Sequence, residues 1–563
     1  MCISIKRLDL EERKLVVIKP IEDRIPYDVY AELEGIIWDE VNKLQDPEGF
    51  MEPYMYPFEK LEEIANSDNF EYKESIRAMA DDLWSKEEWL NALLVYYILM
   101  HIVSYMPTDF YKLAYSLAKL HRKDEALKLI KVYEPLSANK KVTCHAIGNF
   151  YYTALDMPLR AIEYFEKYTE FDPENANVYN TLGHLYSRVD DEVSRKKQTA
   201  ALLKADELKP NDPVIVKSLL TMYEKRHDTE KVKELYPKLI SISPSPRHSL
   251  NYGLYLMSWG ELNEGGKYFA ERFDLEKYPV GYPKTFLNGP LKWNFKDDIS
   301  DKLLVVHYEE GFGDSIMYGR FLPLLKQYAR KTVLIVQKPL ANLFKQSPVL
   351  SDGIEIMTDI KEFIGKYNKE NYTHIPMLDM PYPLGVDRHF IPFTDKYLIA
   401  QKPKKYDNKK VNIGIAYSGD ASANYNGRDI MLTKFYDIAK LDGVQVYSLQ
   451  VGDRLRQIDD VPKDISIVDL GKDFKDFTDT ANAVAGLDLV ISSDNVILNL
   501  AGALGVRTYG VFNKYPNYRW FDLTGDNVVW YESVKPFQCE EENDWASVME
   551  KVKEAVVSEF LNK

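Results

Sequence analysis

The hydropathy period of this chain changes near residue 300, and no single kind of domain accommodates both patterns. Upstream, Ala92, Ala126 and Ala161 recur at a roughly 34-residue interval, each among bulky residues at helical spacing. Phe110, Leu113, Ala114 and Leu117 precede Ala126, and Ile130 and Tyr133 follow it. The scheme returns with Tyr152, Phe165, Tyr168 and Pro173, then with Tyr179, Leu182, Gly183, Tyr186, Ala205 and Pro210. Its cleanest copy is Val216, Leu219, Leu220, Tyr223, Val232, Tyr236, Leu239 and Pro244. A small residue facing large ones lets two helices cross closely, and a proline then ends the second helix. Downstream, strand-sized apolar runs alternate with helical segments, which implies parallel sheets covered by helices. One series is Leu303–His307, Thr332–Gln337 and Ile354–Met357; the other is Val411–Tyr417, Val444–Gln450, Ile465–Val468, Leu487–Ser492 and Arg507–Phe512.

The upstream spacing resembles tetratricopeptide (TPR) repeats, with a degenerate last unit over Tyr252–Phe273 expected to cap the stack. The expected partition is a helical extension over residues 1–72, TPR-like repeats over 73–276, a Pro/Gly/aromatic linker over 277–300, and two α/β halves over 301–400 and 401–563. The Lys-rich stretch Gln401–Lys410 separates the halves. Trp89–Tyr105 is almost wholly apolar but short of the ~20 residues a membrane helix needs. It carries Asn91 and His101, and its Ala92 falls on the repeat, so a buried repeat helix is expected.

Charge narrows the partners. Seventy-two Lys+Arg against 87 Asp+Glu give a net −15, which argues against general affinity for nucleic acid or anionic membrane. Cys2, Cys144 and Cys539 have neither metal-ligand nor disulfide spacing, and the first residues lack the long apolar core of a signal peptide. A reducing cytoplasm is the expected compartment.

Two strand-to-helix loops carry the chemistry. In Glu309-Glu310-Gly311-Phe312-Gly313-Asp314-Ser315, Gly311 and Gly313 allow a tight turn, and Asp314 opens a helix. There it has the chemistry of a general base; the plainer reading is a helix cap. In Ser492-Ser493-Asp494-Asn495, followed by Asn499-Leu500-Ala501-Gly502-Ala503-Leu504-Gly505, an aspartate ends an apolar strand and Asn495 opens a helix suited to phosphate or ribose oxygens. The plainer reading is again a cap, with Gly502, Ala503 and Gly505 keeping the helix thin against its sheet. Arg428, after a Gly/Asn/Ser-rich loop, suits a bidentate clamp on a diphosphate, with Lys434 a weaker candidate for that job. Arg519 and Trp520 read equally well as a border of the same pocket or as a surface arginine beside a packed aromatic.

Taken together, HYEEGFGDSIMYGRFLPLL, VNIGIAYSG, GRDIML, VYSLQVG, DFKDFTDTANAVAGLDLVISSDNVILNLAGALG and YPNYRW, in that order, resemble the glycosyltransferase family 9 group, the ADP-heptose:lipopolysaccharide heptosyltransferase-like enzymes. The subgroup with TPR repeats ahead of the catalytic part fits best. The resemblance implies a GT-B fold after an α-solenoid: two Rossmann-like domains, acceptor in the first, nucleotide sugar in the second. It implies inverting transfer without an obligatory metal or cofactor, and no D-x-D motif is present. Carried over by position, Asp314 is the general base, and Gly311, Gly313, Ser418, Arg428, Lys434, Gln450, Asp494, Asn495 and Asn499 border the donor. The family usually has Thr or Ser at 495 and His at 499; asparagine at both keeps hydrogen bonding but carries no charge. Expected partners are a nucleotide sugar, an acceptor glycan, protein or other polymer, and a protein in the TPR groove. The alternatives are a TPR adaptor with an inactive GT-B domain, or a transferase acting on a polymer or a modified nucleobase.

Overall fold

The small positions of the upstream pattern fall where helices cross. The computed structural model describes residues 5–9, 14–17, 27–47, 49–51, 70–102, 106–189, 191–274, 292–309, 311–367, 371–406, 408–419 and 426–562. Most of the expected linker (275–291), Glu310, Cys2 and the loop 420–425 ahead of Arg428 lie outside the described residues. The chain forms two compact units, Met1–Ser243 and Pro244–Lys563.

The first unit opens with an antiparallel strand pair, β1 (Ile5–Asp9) and β2 (Lys14–Val17), in a region expected to be helical. Helix α1 (Tyr27–Val41) follows, then five helical hairpins among the described residues. These are α2 (Phe70–Ser85) with α3 (Trp89–Ile102), α4 (Pro107–Lys119) with α5 (Lys123–Leu136), α6 (Lys140–Asn149) with α7 (Pro158–Phe171), α8 (Ala176–Tyr186) with α9 (Glu192–Leu208), and α10 (Pro213–Lys225) with α11 (Thr229–Ile242). Ala92, Ala126, Ala161 and Ala205 each sit in the second helix of a hairpin, fully buried. Glu87, His121, Asp156 and His227 turn hairpins in the left-handed region. Asn139, Asn175, Asp191, Asp212 and Asp228 cap helices by accepting backbone N–H bonds. This is a TPR-like repeat. The apolar segment is α3, and Ala92 through Met100 are all buried in it, as an all-round apolar core helix must be. No helix among the described residues is long and apolar enough to cross a membrane.

The second unit begins with another hairpin, α12 (Pro246–Ser258) and α13 (Leu262–Phe269). Leu250, Met257, Leu262 and Phe269 share a core with the α/β elements that follow. Strands β3 (Ile299–His307), β4 (Ala329–Ile335), β5 (Ile354–Met357) and β6 (Tyr372–Pro376) form a parallel sheet in the order β5-β4-β3-β6. A second parallel sheet has the order β12-β11-β10-β7-β8-β9. Its strands are β7 (Val411–Ala416), β8 (Val444–Ser448), β9 (Ile467–Asp469), β10 (Leu489–Ser493), β11 (Thr508–Phe512) and β12 (Val534–Gln538). Leu489 and Ile491 pack into one core and Val490 into the other, so both faces of β10 are buried. The edge strands β6 and β12 went unread in the sequence; β12 tolerates Pro536 because an edge need not complete the ladder.

A closed ionic cluster ties the hairpin to the first sheet. Arg272, just past α13, donates from Nε and Nη2 to the two oxygens of Glu309 at 2.6 and 2.5 Å, and from Nη1 to Asp379. Lys292 Nζ lies 2.5 Å from Asp379 Oδ2, and the rings of Phe269 and Phe273 cover the guanidinium. The side chains of Arg272, Glu309 and Asp379 have no exposed surface.

Candidate functional site

Ligands of parallel α/β sheets bind beyond the carboxyl ends of the strands, where the strand order reverses. In the second sheet that point lies between β7 and β10, which are neighbours although two strands intervene in sequence. The loop after β7 carries Ser418, and the loop after β10 carries Asp494 and Asn495. Facing them is the loop after β3, which opens helix α14 (Phe312–Gly319). A cavity of about 820 Å³ lies between the two α/β lobes of this unit.

Nine of the ten sequence-selected positions line that cavity: Gly311, Gly313, Asp314, Ser418, Arg428, Gln450, Asp494, Asn495 and Asn499. Arg519 and Trp520 line it too. Lys434 does not; it is exposed on a short turn, with Asp544 among the charges near it. Also in the wall, and not singled out from sequence, are Gln337, Lys475, Asp476, Phe477 and Asn517. The signal for Lys475, Asp476 and Phe477 lay in DFKDFTDT, whose Asp476 caps helix α15 (Phe477–Val484) and accepts a bond from Asn342 Nδ2 at 2.9 Å, joining the lobes.

Asp314 caps its helix and pairs across the lobes at once. Its Oδ2 accepts the Gly311 N–H at 3.1 Å, the capping contact, while its Oδ1 lies 2.6 Å from Arg519 Nε of the other lobe. Gly313 lies close to the opposite lobe: a Cβ there would come within 3.1 Å of Asn499 Nδ2 and 3.6 Å of Val496 Cα. Helix α14 thus rests on helix α16 (Val496–Ala503) of the opposite lobe. Fully buried Arg320, just past α14, reinforces the closure by donating from Nη1 to the Trp530 carbonyl at 2.6 Å.

The donor-side residues brace one another. Gln450 Oε1 accepts the N–H groups of Tyr417 and Ser418 at 3.3 and 3.1 Å, fastening the loop after β7 to the end of β8. Asp429 Oδ1 accepts from Ser418 Oγ at 2.8 Å and from the Gly419 N–H at 3.1 Å. This fixes the neighbouring Arg428, whose guanidinium lies so close to Gly419 that a Cβ there would sit 2.7 Å from it. Asn495 caps α16 through the Ile497 N–H at 2.8 Å, and its Nδ2 donates to Ser493 Oγ at 3.1 Å. Asn499 accepts the Tyr531 hydroxyl at 2.9 Å and donates to the Asn495 carbonyl at 3.3 Å. Gly502 meets the Tyr531 ring rather than the sheet, and Gly505 adopts the left-handed conformation that ends the helix.

Burial pushes the Asp494 carboxyl above its ordinary value. The Trp520 side chain and the Arg428 and Arg519 charges pull it down, and Asp314 adds to the rise. The wall holds three acidic side chains (Asp314, Asp476 and Asp494) and three basic ones (Arg428, Lys475 and Arg519).

No family model matches the chain. Protein FlbA of Caulobacter vibrioides is 22% identical over 432 residues, which span 71% of this chain and 70% of FlbA. Among solved structures, MamA of Desulfovibrio magneticus RS-1 is 18% identical and covers 31% of this chain and 97% of its own, with a TM-score of 0.27. YrrB, described as a TPR protein with an unusual peptide-binding site, is 17% identical over 31% of this chain and 87% of its own, with a TM-score of 0.25. Pseudomonas aeruginosa PilF is 13% identical over 37% and 91%, with a TM-score of 0.30.

Proposed function

We propose that the chain joins a TPR-like protein-interaction module to a GT-B-type glycosyltransferase, heptosyltransferase-like in its motifs, that moves a sugar from a nucleotide donor to an acceptor hydroxyl. One observation carries the transferase half: a carboxylate from the first lobe and two arginines with a helix N-terminus from the second line one cavity at the strand-order reversal. In the proposed reaction the acceptor oxygen attacks the anomeric carbon and its proton passes to Asp314. The bond to the nucleoside diphosphate breaks on the opposite face, inverting the centre. Arg428, Arg519 and the first N–H groups of α16 neutralise the departing diphosphate. Base catalysis supplies about 10²–10⁴-fold, and orientation within the cleft supplies much of the remainder.

The second reading is an adaptor whose α/β unit is inactive. Both oxygens of Asp314 are already engaged, and Asn495 and Asn499 spend their amides inside the second lobe. The interaction module is the better supported half, because its hairpins are seen directly while the chemistry is inferred from a lining. A thermal-shift screen against nucleotide sugars, with mass spectrometry for release of nucleoside diphosphate, separates the two. One donor is expected to raise the melting temperature by mass action. Asp314→Asn is expected to show a shift at least as large and to lose about 10²–10⁴-fold in release. A panel without a single shift selects the adaptor.

A further inference from the structure

Arg519 and Asp314 form a tie across the cleft, between the residue proposed as base and a residue positioned for the leaving group. The contact is short, Nε to Oδ1 at 2.6 Å, and the two side chains are only 16% and 18% exposed. Arg519 is aimed by its surroundings. Its Nη1 donates to Asn517 Oδ1 at 2.9 Å, its guanidinium lies 4.7 Å from the Tyr518 ring centre, and its carbonyl accepts the Trp530 indole N–H at 2.6 Å. A guanidinium offers donors on two edges, and a diphosphate, with more charge and more oxygens than one carboxylate, competes for them with advantage. Among the residues of the wall, Arg519 and Asp314 are an ion pair in direct contact, so a diphosphate that recruits Arg519 takes it from Asp314. Arg519 is the cation in direct contact with Asp314.

Resting on the transferase reading above, we propose that Arg519 is a donor-operated latch: it holds Asp314 until a nucleoside diphosphate group enters beside Arg428, then turns to the phosphates and leaves Asp314 Oδ1 open to the acceptor's proton. The donor then binds before the acceptor, and the base is uncovered only when there is a sugar to transfer. On departure the nucleoside diphosphate releases Arg519 to Asp314 again.

The test is a double-mutant cycle read by calorimetric titration of ADP, GDP, UDP, CDP and inorganic pyrophosphate. Asp314→Asn keeps a side-chain acceptor for the Gly311 N–H and removes the competing charge. It is expected to tighten binding of the recognised diphosphate by about tenfold. That gain is expected to vanish in the Arg519→Met background, where no latch remains to be released. An unchanged affinity in Asp314→Asn overturns the latch alone. A gain that persists with Arg519→Met does the same, because it reports only relief of charge repulsion. Failure of every probe to bind either the wild type or Asp314→Asn overturns the latch and the transferase reading together.

Discussion

Two ionic clusters of the second unit grow from the same loop and have opposite characters. Glu309 faces the last helical hairpin and meets Arg272, Asp379 and Lys292 in a cluster whose core is sealed from water. Asp314, a few residues on, faces the other lobe and meets Arg519 in the wall of a cavity. Each cluster pairs carboxylates with cations. The closed one satisfies its guanidinium from within the protein and sandwiches it between two phenyl rings, which makes it a fastening. The open one keeps its charges beside a space that a ligand can enter. Ionic composition is therefore a poor guide to function; what a cluster is packed against decides its role.

The sharpest way to break this contrast is to remove each cluster's arginine. Arg272→Met strands Glu309 and Asp379 in the interior with only Lys292 beside them, and is expected to cost about 3–5 kcal/mol in urea unfolding. Arg519→Met, at a site water can reach, is expected to cost about 1 kcal/mol or less. Equal losses would show that the open pair is a fastening too.

Next in size is a pH effect beside the closed cluster. Burial, with the neighbouring His374, lowers the His307 pKa to about 3 from the usual 6.5. Its Nδ1 faces the Tyr308 carbonyl and its Nε2 faces His374 Nδ1. Between those two values the unfolded chain takes up a proton that the folded chain refuses, so stability falls as pH drops through that window. The loss is expected to reach about 2 kcal/mol by about pH 5. His307→Gln is expected to flatten this part of the stability profile, and an unaltered profile would assign the acid sensitivity elsewhere.

The last effect has the opposite sign. Asp494 sits in the open cluster with its pKa raised by burial, so stability falls as pH rises from the ordinary carboxylate value to that raised one. Asp494→Asn is expected to be more stable than the wild type at neutral pH and to show no gain near pH 3, where the acid is protonated in both states. Loss of stability at neutral pH would make Asp494 part of the fastening rather than of the site.

Much of this was legible in the chain because it is local. The recurring alanines marked the second helices of the hairpins, and the apolar runs marked eight of the ten strands of the two parallel sheets. Side-chain periodicity is set by the backbone's own repeat, so it survives in a sequence without knowledge of partners. The edge strands β5 and β9 were read as well, whereas β6 and β12 escaped because polar residues and a proline break their apolar runs: one contains a histidine and a proline, the other a lysine and a proline. The hairpin α12–α13 read as another repeat, yet its inner face is spent on the α/β core.

The sequence by itself determined the two periods, the strand-to-helix loops and nine of the ten positions selected for the cavity. Tertiary structure alone decided that Asp314 pairs with Arg519, that Gly313 admits Asn499, and that Glu309 turns to Arg272. Each of those contacts joins residues far apart in the chain, whose meeting depends on how whole lobes close. A local pattern reports which face a side chain takes, but the charge waiting on the other side is set by the packing of distant elements.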